Sequence, residues 1–380
     1  MIIVGYVYNN NGMATWCYET AYALHENGYN VLLVHSSKII LPNNLPFKTF
    51  AFDFAESPAN SGLVKKIKTF LEVISSSSNQ FSFLIQNQLK ENNIQAQAFF
   101  LNQSNLVYTK TTIPQYVCSW VYPFTLKQYI TSSFTHMNKG VKNKVLALAT
   151  AMGFYRKDLT GFKNATYALA ITEAMHKQLI KKRIKSYLLP PCCEVITNVF
   201  NKEQIVANKK ISIVISALEL ESKRKNIIWL LQCLNKISTQ TFEITLIGKT
   251  GNSINEFIKN SPHTFYCSGQ LNRNDALKLM QKADIFLFAS LSDDWGYVIV
   301  EAMSKGLAVL VPNNHPFNFI VETNKYCFEL NNENDFTNKL LQLINTDNLI
   351  KAKQHSLYRT EAMFSRKQFA NNLQPLLANL

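Results

Sequence analysis

The chain has 380 residues, 47% of them hydrophobic and 17% charged, which favours two domains of ordinary size and excludes extensive disorder. Its net charge is +14, and its seven cysteines include no C-x-x-C pair, so they fit neither a zinc site nor a disulfide framework. The longest apolar runs fall far short of the roughly 20 residues that span a bilayer, and the N-terminus lacks the basic start and cleavage site of a signal peptide. We therefore expect a cytoplasmic protein.

The first forty residues predict a β-α-β unit. "MIIVGYVY" is an apolar run typical of a buried parallel strand, apolar positions recur at helical spacing from Met13 to Asn27, and "YNVLLVHS" is the second strand. Further on, the pattern predicts helices at "KKIKTFLEVISSS", "FSFLIQNQLKENN", residues 141–154 and "EAMHKQLIKKR". Strands are predicted at "QYVCSW", "ATYALAIT" and "SYLLPP". The pair Pro190–Pro191 marks the predicted domain boundary, because consecutive prolines end regular structure.

After this boundary, strands and helices alternate again. Strands are predicted at "KISIVISAL", "FEITLIG", "TFYCSG", "DIFLFAS" and "AVLVPN", with helices between them, which indicates a second parallel sheet covered on both faces. We expect an N-terminal domain over residues 1–191 and a C-terminal domain over residues 192–359. A last helix at about residues 360–380 is expected to pack back on the first domain.

Two acidic residues flank the loop that follows the strand "DIFLFAS". Asp293 lies in this loop and Glu301 lies early in the helix behind it. The unpaired N–H groups at the start of that helix, near Gly296, suit a diphosphate, and a carboxylate such as that of Glu301 can accept hydrogen bonds from ribose hydroxyls. In the alternative interpretation, Asp293 only caps the helix and Glu301 is a surface residue.

The segment "SDDWGYVIVEAMSKGLAVLVP" resembles the E-x7-E signature of GT-B retaining glycosyltransferases of family 4, the group 1 type. The match consists of Trp295, Gly296, Glu301, Ala302, Met303 and Gly306. Asp293 replaces the first Glu, and Ala308 stands where Pro is usual. The resemblance implies two Rossmann-like domains whose parallel sheets face a central cleft. Residues 1–191 would then be the acceptor-side domain, and residues 192–359 the nucleotide-sugar donor-binding domain. The resemblance also implies that Asp293 contacts the donor sugar, that Glu301 binds the ribose, and that Trp295, Gly296 and Tyr297 belong to the donor site.

Three consecutive cations, Lys223, Arg224 and Lys225, precede the helix "NIIWLL". Clustered positive charge at a helix start stabilises a phosphate, although a solvated basic turn has the same sequence. The segment resembles the donor-phosphate loop of the same family, in which Lys225 matches the Lys and Asn226 replaces a Gly. Arg224 is expected to supply the charge of an Arg that the family carries directly after the strand. Gly248, at the end of "FEITLIG", is placed with the donor-binding residues.

The N-terminal loop resembles the acceptor-side opening of the family through Gly12 and Met13, which we expect at the donor or acceptor. The family usually carries a His in the first domain, and Ser119 stands at that position here. His315 lies in the loop after "AVLVP". Two interpretations stay open for it: a contact with the donor, or a structural or surface role.

The resemblance implies a hexosyl- or glycosyltransferase that moves sugar, with retention, from a UDP-, GDP- or ADP-sugar to a hydroxyl acceptor. Neither metal nor cofactor is expected. The predicted acceptor is a glycan or lipid-linked glycan of the cell envelope, made in polysaccharide biosynthesis. Two alternatives remain: a catalytically weak or inactive GT-B protein that binds nucleotide sugar or glycan, and a nucleotide-sugar 2-epimerase.

Residues 139–185 contain eleven Lys or Arg and two acids. Such an excess attracts polyanions, and we hypothesise peripheral contact with an anionic membrane or with a polyanionic acceptor. A solvated basic face is the alternative. No nucleic-acid partner is expected, because no nucleic-acid-binding signature accompanies the charge.

Overall fold

The computed structural model describes residues 1–8, 12–52, 81–107, 112–120, 124–135, 141–195 and 210–378. The chain divides into two compact units, the first made of residues 1–192 with 369–380 and the second of residues 193–368. Each unit is built around a parallel sheet with helices, which confirms the predicted α/β class.

The first unit contains a seven-stranded sheet in the order β3-β2-β1-β4-β5-β6-β7, and each neighbouring pair of strands is parallel. Its strands are β1 Ile2–Val7, β2 Val31–His35, β3 Lys48–Ala51, β4 Ala98–Leu101, β5 Gln115–Ser119, β6 Tyr167–Ala170 and β7 Ser186–Leu188. Its helices are α1 Gly12–Glu26, α2 Phe81–Glu91, α3 Leu126–Thr135, α4 Val141–Asn164 and α5 Glu173–Lys181. All residues of β1 and β2 are buried, as expected for central strands covered on both faces.

The second unit contains a six-stranded parallel sheet in the order β10-β9-β8-β11-β12-β13. Its strands are β8 Ser212–Glu219, β9 Glu243–Lys249, β10 Thr264–Gly269, β11 Ile285–Leu287, β12 Ala308–Pro312 and β13 Cys327–Phe328. Its helices are α6 Ile227–Asn235, α7 Asn252–Lys259, α8 Arg273–Met280, α9 Tyr297–Ser304, α10 Phe317–Val321, α11 Glu333–Leu343 and α12 Thr346–Arg359. In both sheets the first strand of the unit lies in the middle, so the strand order reverses between β1 and β4 and between β8 and β11.

The last helix, α13 Arg366–Leu377, is anchored to the first unit by two tyrosines. The hydroxyl of Tyr116 donates to the carbonyl oxygen of Leu376 at 2.8 Å, and that of Tyr187 donates to the carbonyl oxygen of Asn372 at 2.6 Å. Residues 369–380 therefore return to the first unit after the chain has completed the second.

Several elements differ from the sequence-based expectations. The predicted helix "KKIKTFLEVISSS" lies outside the described residues. β3 and β4 were not predicted: β3 is an edge strand with no buried residue, and β4 has only four residues, so neither carries a clear periodic signal. Helix α4 runs ten residues beyond the predicted end at Phe154, to Asn164.

Candidate active site

Cations and a carboxylate meet where the strand order of the second unit reverses. Lys223–Lys225 form one turn of 3-10 helix after β8, and Asp293 lies in the loop after the neighbouring strand β11. Oδ2 of Asp293 lies 2.5 Å from Nζ of Lys225 and 3.2 Å from Nη1 of Arg224. In open parallel sheets this crevice, outside the carboxyl ends of the strands, is where ligands bind.

The two loops are held together by their backbones. The amide of Leu291 donates to the carbonyl oxygen of Arg224 at 2.8 Å, and the hydroxyl of Ser290 reaches the same oxygen at 3.1 Å. The guanidinium of Arg224 donates in turn to the carbonyl oxygen of Ser292 at 2.8 Å. The position of the cations relative to Asp293 is thus fixed by main-chain contacts as well as by the ion pairs.

Asn226 joins the 3-10 turn Lys223–Lys225 to helix α6. Its backbone is left-handed, with φ of 56° and ψ of 29°, a conformation that glycine adopts freely and that asparagine tolerates better than most other residues. The residue that replaces the Gly of the resembled motif therefore keeps the geometry of the turn.

The environment of the cations is partly desolvated. The ammonium of Lys225 lies 5.4 Å from the centre of the Phe288 ring, and its side chain is 18% exposed. Desolvation, together with the like charge of Asp293, raises the pKa of Asp294 to about 6. A second acid beside Asp293 is therefore partly protonated in mildly acidic solution.

Buried aromatic side chains pack beneath the loop between β11 and α9, on its core side. Gly296 precedes α9 in a left-handed conformation with φ of 86°. Trp295 is 2% exposed and packs against the rings of Phe319 and Phe364, and Tyr297 is also buried. The structure thus places Trp295 and Tyr297 in the core beneath the loop, where they position Gly296 and the start of the helix.

Glu301 lies on α9 and forms an ion pair that the sequence did not indicate. Nε of Arg273, the first residue of α8, donates to Oε1 of Glu301 at 2.7 Å, and the two side chains are 37% and 13% exposed. Glu301 and Asp293 are therefore both paired with cations, but with different ones.

The backbone conformation and close packing of Gly248, at the end of β9, require a glycine. Its φ is +134°, and a Cβ at this position would lie 1.7 Å from the carbonyl oxygen of Ala217. The following helix start, at α7, is already occupied by a carboxylate, because the amide of Ile254 donates to Oε1 of Glu221 at 3.0 Å. The structure thus shows a backbone requirement at Gly248, and any role in donor binding stays a prediction.

In the first unit, Gly12 and Met13 begin α1 beside the point where the strand order reverses between β1 and β4. The side-chain amide of Gln103, after β4, donates to the hydroxyl of Tyr8 at 2.7 Å and lies 2.9 Å from Sδ of Met13. Charged side chains do not enter these contacts, in contrast to the crevice of the second unit.

Ser119 ends β5 and is fully buried, and its hydroxyl forms no hydrogen bond with any described residue. His315 lies in the second unit between β12 and α10, and desolvation lowers its pKa to about 4. At neutral pH the His315 imidazole is consequently uncharged.

Groups of three or more metal-ligating side chains are not found among the described residues, and the seven cysteines form no disulfide. Within the described ranges, no helix combines the length and the apolar composition that crossing a bilayer requires.

This fold and this charged crevice define a class of protein. The chain has the α/β architecture of GT-B glycosyltransferases, as three solved structures show. Sucrose-phosphate synthase from Thermosynechococcus elongatus has a TM-score of 0.68 at 12% identity, with 100% of this chain and 98% of that chain covered. For WaaG, a glycosyltransferase involved in lipopolysaccharide biosynthesis, the values are 0.63 and 13%, with 98% of each chain covered. For HepE from Anabaena, in complex with UDP and glucose, they are 0.61 and 12%, with both chains fully covered.

Residues 209–346, which lie in the second unit, match the family model described as "Glycosyl transferases group 1". This match confirms the predicted resemblance to the group 1 type. No curated protein sequence matches the chain.

Proposed function

We propose that this protein is a retaining, family 4-type glycosyltransferase that moves sugar from a nucleoside-diphosphate sugar to a hydroxyl acceptor. The observation that carries the proposal is the convergence of Lys225 and Arg224 at the reversal point of a sheet in the glycosyltransferase domain. Two cations on adjacent residues beside a helix start suit a diphosphate, which carries negative charge when it leaves.

In the proposed mechanism the catalytic acceleration is electrostatic. Charge develops on the diphosphate as its bond to the sugar breaks, and fixed cations stabilise such charge without reorganisation. Lys225 and Arg224 would bind the diphosphate together with the N–H groups after Gly296, and Asp293 would orient the sugar. Glu301 would accept hydrogen bonds from the ribose. The acceptor hydroxyl would attack on the face that the diphosphate leaves, so the product should keep the donor configuration, which NMR of the anomeric proton can measure.

The first unit would hold the acceptor. Its reversal point presents the partly exposed Tyr8 with Gln103 and Met13, and uncharged groups of this kind suit a hydroxyl-rich ligand better than a diphosphate. A glycan or lipid-linked glycan of the cell envelope is the proposed acceptor, and the fold likeness to an enzyme of lipopolysaccharide biosynthesis supports it.

The test is binding and turnover with UDP, GDP and ADP and their common sugars. We expect one diphosphate to raise the melting temperature, and we expect slow hydrolysis of the matching sugar donor. Glu301→Ala should lose both effects. Glu333→Gln, which removes a surface carboxylate paired with Lys236 elsewhere in the unit, should keep both. If none of the nucleotides binds, the proposal is wrong.

A binding protein without turnover is the second candidate, because Ser119 stands where the family carries a His. Nucleotide binding without hydrolysis or transfer to any hydroxyl acceptor would favour it.

We also propose that the basic segment of the first unit touches an anionic membrane. Lys181, Arg183 and Lys185 are exposed, as are Met152 and Ile180. Lys182, in contrast, is turned inward: its ammonium donates to the hydroxyl of Tyr155 at 3.1 Å and lies 5.6 Å from the Phe124 ring centre. The exposed cations and apolar groups together suit an anionic lipid surface.

This contact is tested by vesicle sedimentation. Reversing the charge of Lys181, Arg183 and Lys185 should abolish binding to vesicles that contain phosphatidylglycerol. Reversing three exposed lysines of the second unit, Lys259, Lys278 and Lys282, should have a smaller effect. Equal losses would mean that net charge, and not this segment, causes the binding.

A further inference from the structure

The ion-pair partner of Glu301 is a residue that no sequence motif identified. Arg273 is the first residue of α8, and its Nε donates to Oε1 of Glu301 at 2.7 Å. Both ends of this ion pair are on fixed backbone. The α8 start is capped by Asn272, whose side chain accepts from the amide of Asp275 at 3.0 Å, and Glu301 lies between the fully buried Val300 and Ala302 on α9.

The pair leaves half of the carboxylate available. Oε1 of Glu301 is engaged by Arg273, whereas Oε2 makes no hydrogen bond with any described residue. A carboxylate oxygen offers two lone pairs as acceptors, and a ribose presents two neighbouring hydroxyl donors. A carboxylate that is already oriented by a guanidinium loses less conformational freedom when it binds these hydroxyls than one that must first be ordered.

The pair also balances charge near the diphosphate. Glu301 begins the second turn of α9, one turn from the helix start at which the diphosphate is expected, and an uncompensated carboxylate there would repel that anion. The guanidinium of Arg273 stays protonated at any physiological pH and offsets this charge.

We propose that Arg273 is a positioning residue for the nucleoside: it fixes the carboxylate of Glu301 so that Oε2 accepts from the ribose hydroxyls. This inference rests on the proposed function, because it assumes that Glu301 faces the ribose of the donor. Arg273 acts through Glu301, and its contribution therefore depends on the hydroxyls that Glu301 binds.

The experiment compares UDP with 2′,3′-dideoxy-UDP by titration calorimetry, with the GDP and ADP pairs run alongside. Arg273→Ala should weaken binding of the natural nucleotide about tenfold and change binding of the dideoxy nucleotide less than about twofold. Arg273→Lys should restore part of the loss, because it keeps the charge but not the fork of N–H donors. Adding Arg273→Ala to Glu301→Gln should cause little further loss.

Lys278→Ala is the matched control. It removes one positive charge from the same helix, where Lys278 pairs only loosely with Asp275, at 3.7 Å, and it should leave both nucleotides unaffected. Equal losses for the ribose and dideoxy nucleotides in Arg273→Ala would overturn the positioning role and leave the proposed function standing. Failure of the wild-type protein to bind any of the three diphosphates would overturn both.

Discussion

Replacing Asp293 by Asn should strengthen binding of the nucleoside diphosphate while it weakens transfer. Oδ2 of Asp293 contacts both of the cations that we assign to the phosphates, at 2.5 Å from Lys225 and 3.2 Å from Arg224. If the diphosphate binds these cations as we propose, one of its oxygens takes the place of this carboxylate, and the donor must displace it. A neutral amide competes less, so the variant should bind UDP more tightly than the wild type.

The size of the effect follows from the exposure of the three groups. Hydrogen bonds to charged groups contribute about 1.5–3 kcal/mol when they are well shielded, and exposed ion pairs contribute about 0–1 kcal/mol. Lys225 and Asp293 are 18% and 23% exposed and Arg224 is 43% exposed, which places this cluster between the two limits, at about 1–2 kcal/mol. Because 1.4 kcal/mol corresponds to a tenfold change, UDP should bind roughly 5–30 times more tightly.

Titration calorimetry with UDP measures the affinity, and urea unfolding without ligand measures the cost. We expect Asp293→Asn to lower the free energy of unfolding by about 1 kcal/mol, since the ion pairs are lost. Glu333→Gln, which breaks a surface ion pair with Lys236, controls for the loss of one negative charge and should leave the UDP affinity unchanged. Unchanged or weaker UDP binding by a folded Asp293→Asn variant would refute the assignment of these cations to the phosphates.

Three further predictions concern the second unit. Asp284→Ala should cost about 3–5 kcal/mol in urea unfolding, because it leaves the ammonium of Lys353, 8% exposed, buried without its carboxylate; a loss below about 1 kcal/mol would contradict this. Gly248→Ala should lower the melting temperature more than Gly269→Ala. Both glycines have positive φ, but of the two only Gly248 would bring a Cβ against a backbone oxygen, at 1.7 Å. Equal losses would show that the positive φ, and not this contact, sets the loss of stability. The pKa of His315 is lowered to about 4 by burial, and the unfolded chain binds this proton near pH 6.5, so stability should fall as the pH drops from 6.5 to 4. His315→Gln should flatten that part of the pH profile of unfolding, and an unchanged slope would assign the effect to other groups.

The sequence predicted the strands of the second unit from β8 to β12, but not β13, α10 or α11. It placed the charged loops after β8 and β11 at the same edge of the sheet for a physical reason. Loops at the carboxyl ends of β8 and β11 must lie side by side where the strand order reverses, so Lys225 and Asp293 meet although 68 positions separate them. Asn226 carried a usable signal as well, since Asn at a motif glycine is compatible with a left-handed turn.

Other features could not be predicted from one sequence. Trp295 belongs to a motif that suggests ligand contact, but its side chain is buried against Phe319 and Phe364, which come from later elements. Arg273 shares no motif with Glu301. Their ion pair exists because α8 and α9 are neighbours in the folded unit, and local periodicity does not report which helices become neighbours.

In both ion-pair clusters of the second unit, the carboxylate and its cationic partners come from different secondary-structure elements. Asp293 after β11 balances Lys225 and Arg224 after β8, and Arg273 on α8 balances Glu301 on α9. In the proposed binding mode, the diphosphate displaces Asp293 from its two cations, whereas Arg273 stays paired with Glu301 when the ribose binds. Removing the acid from the phosphate side should therefore favour the ligand, whereas removing the base from the ribose side should disfavour it. Two affinity changes of opposite sign, from substitutions that each break one ion pair, would distinguish this arrangement from a general loss of structure, which would weaken both.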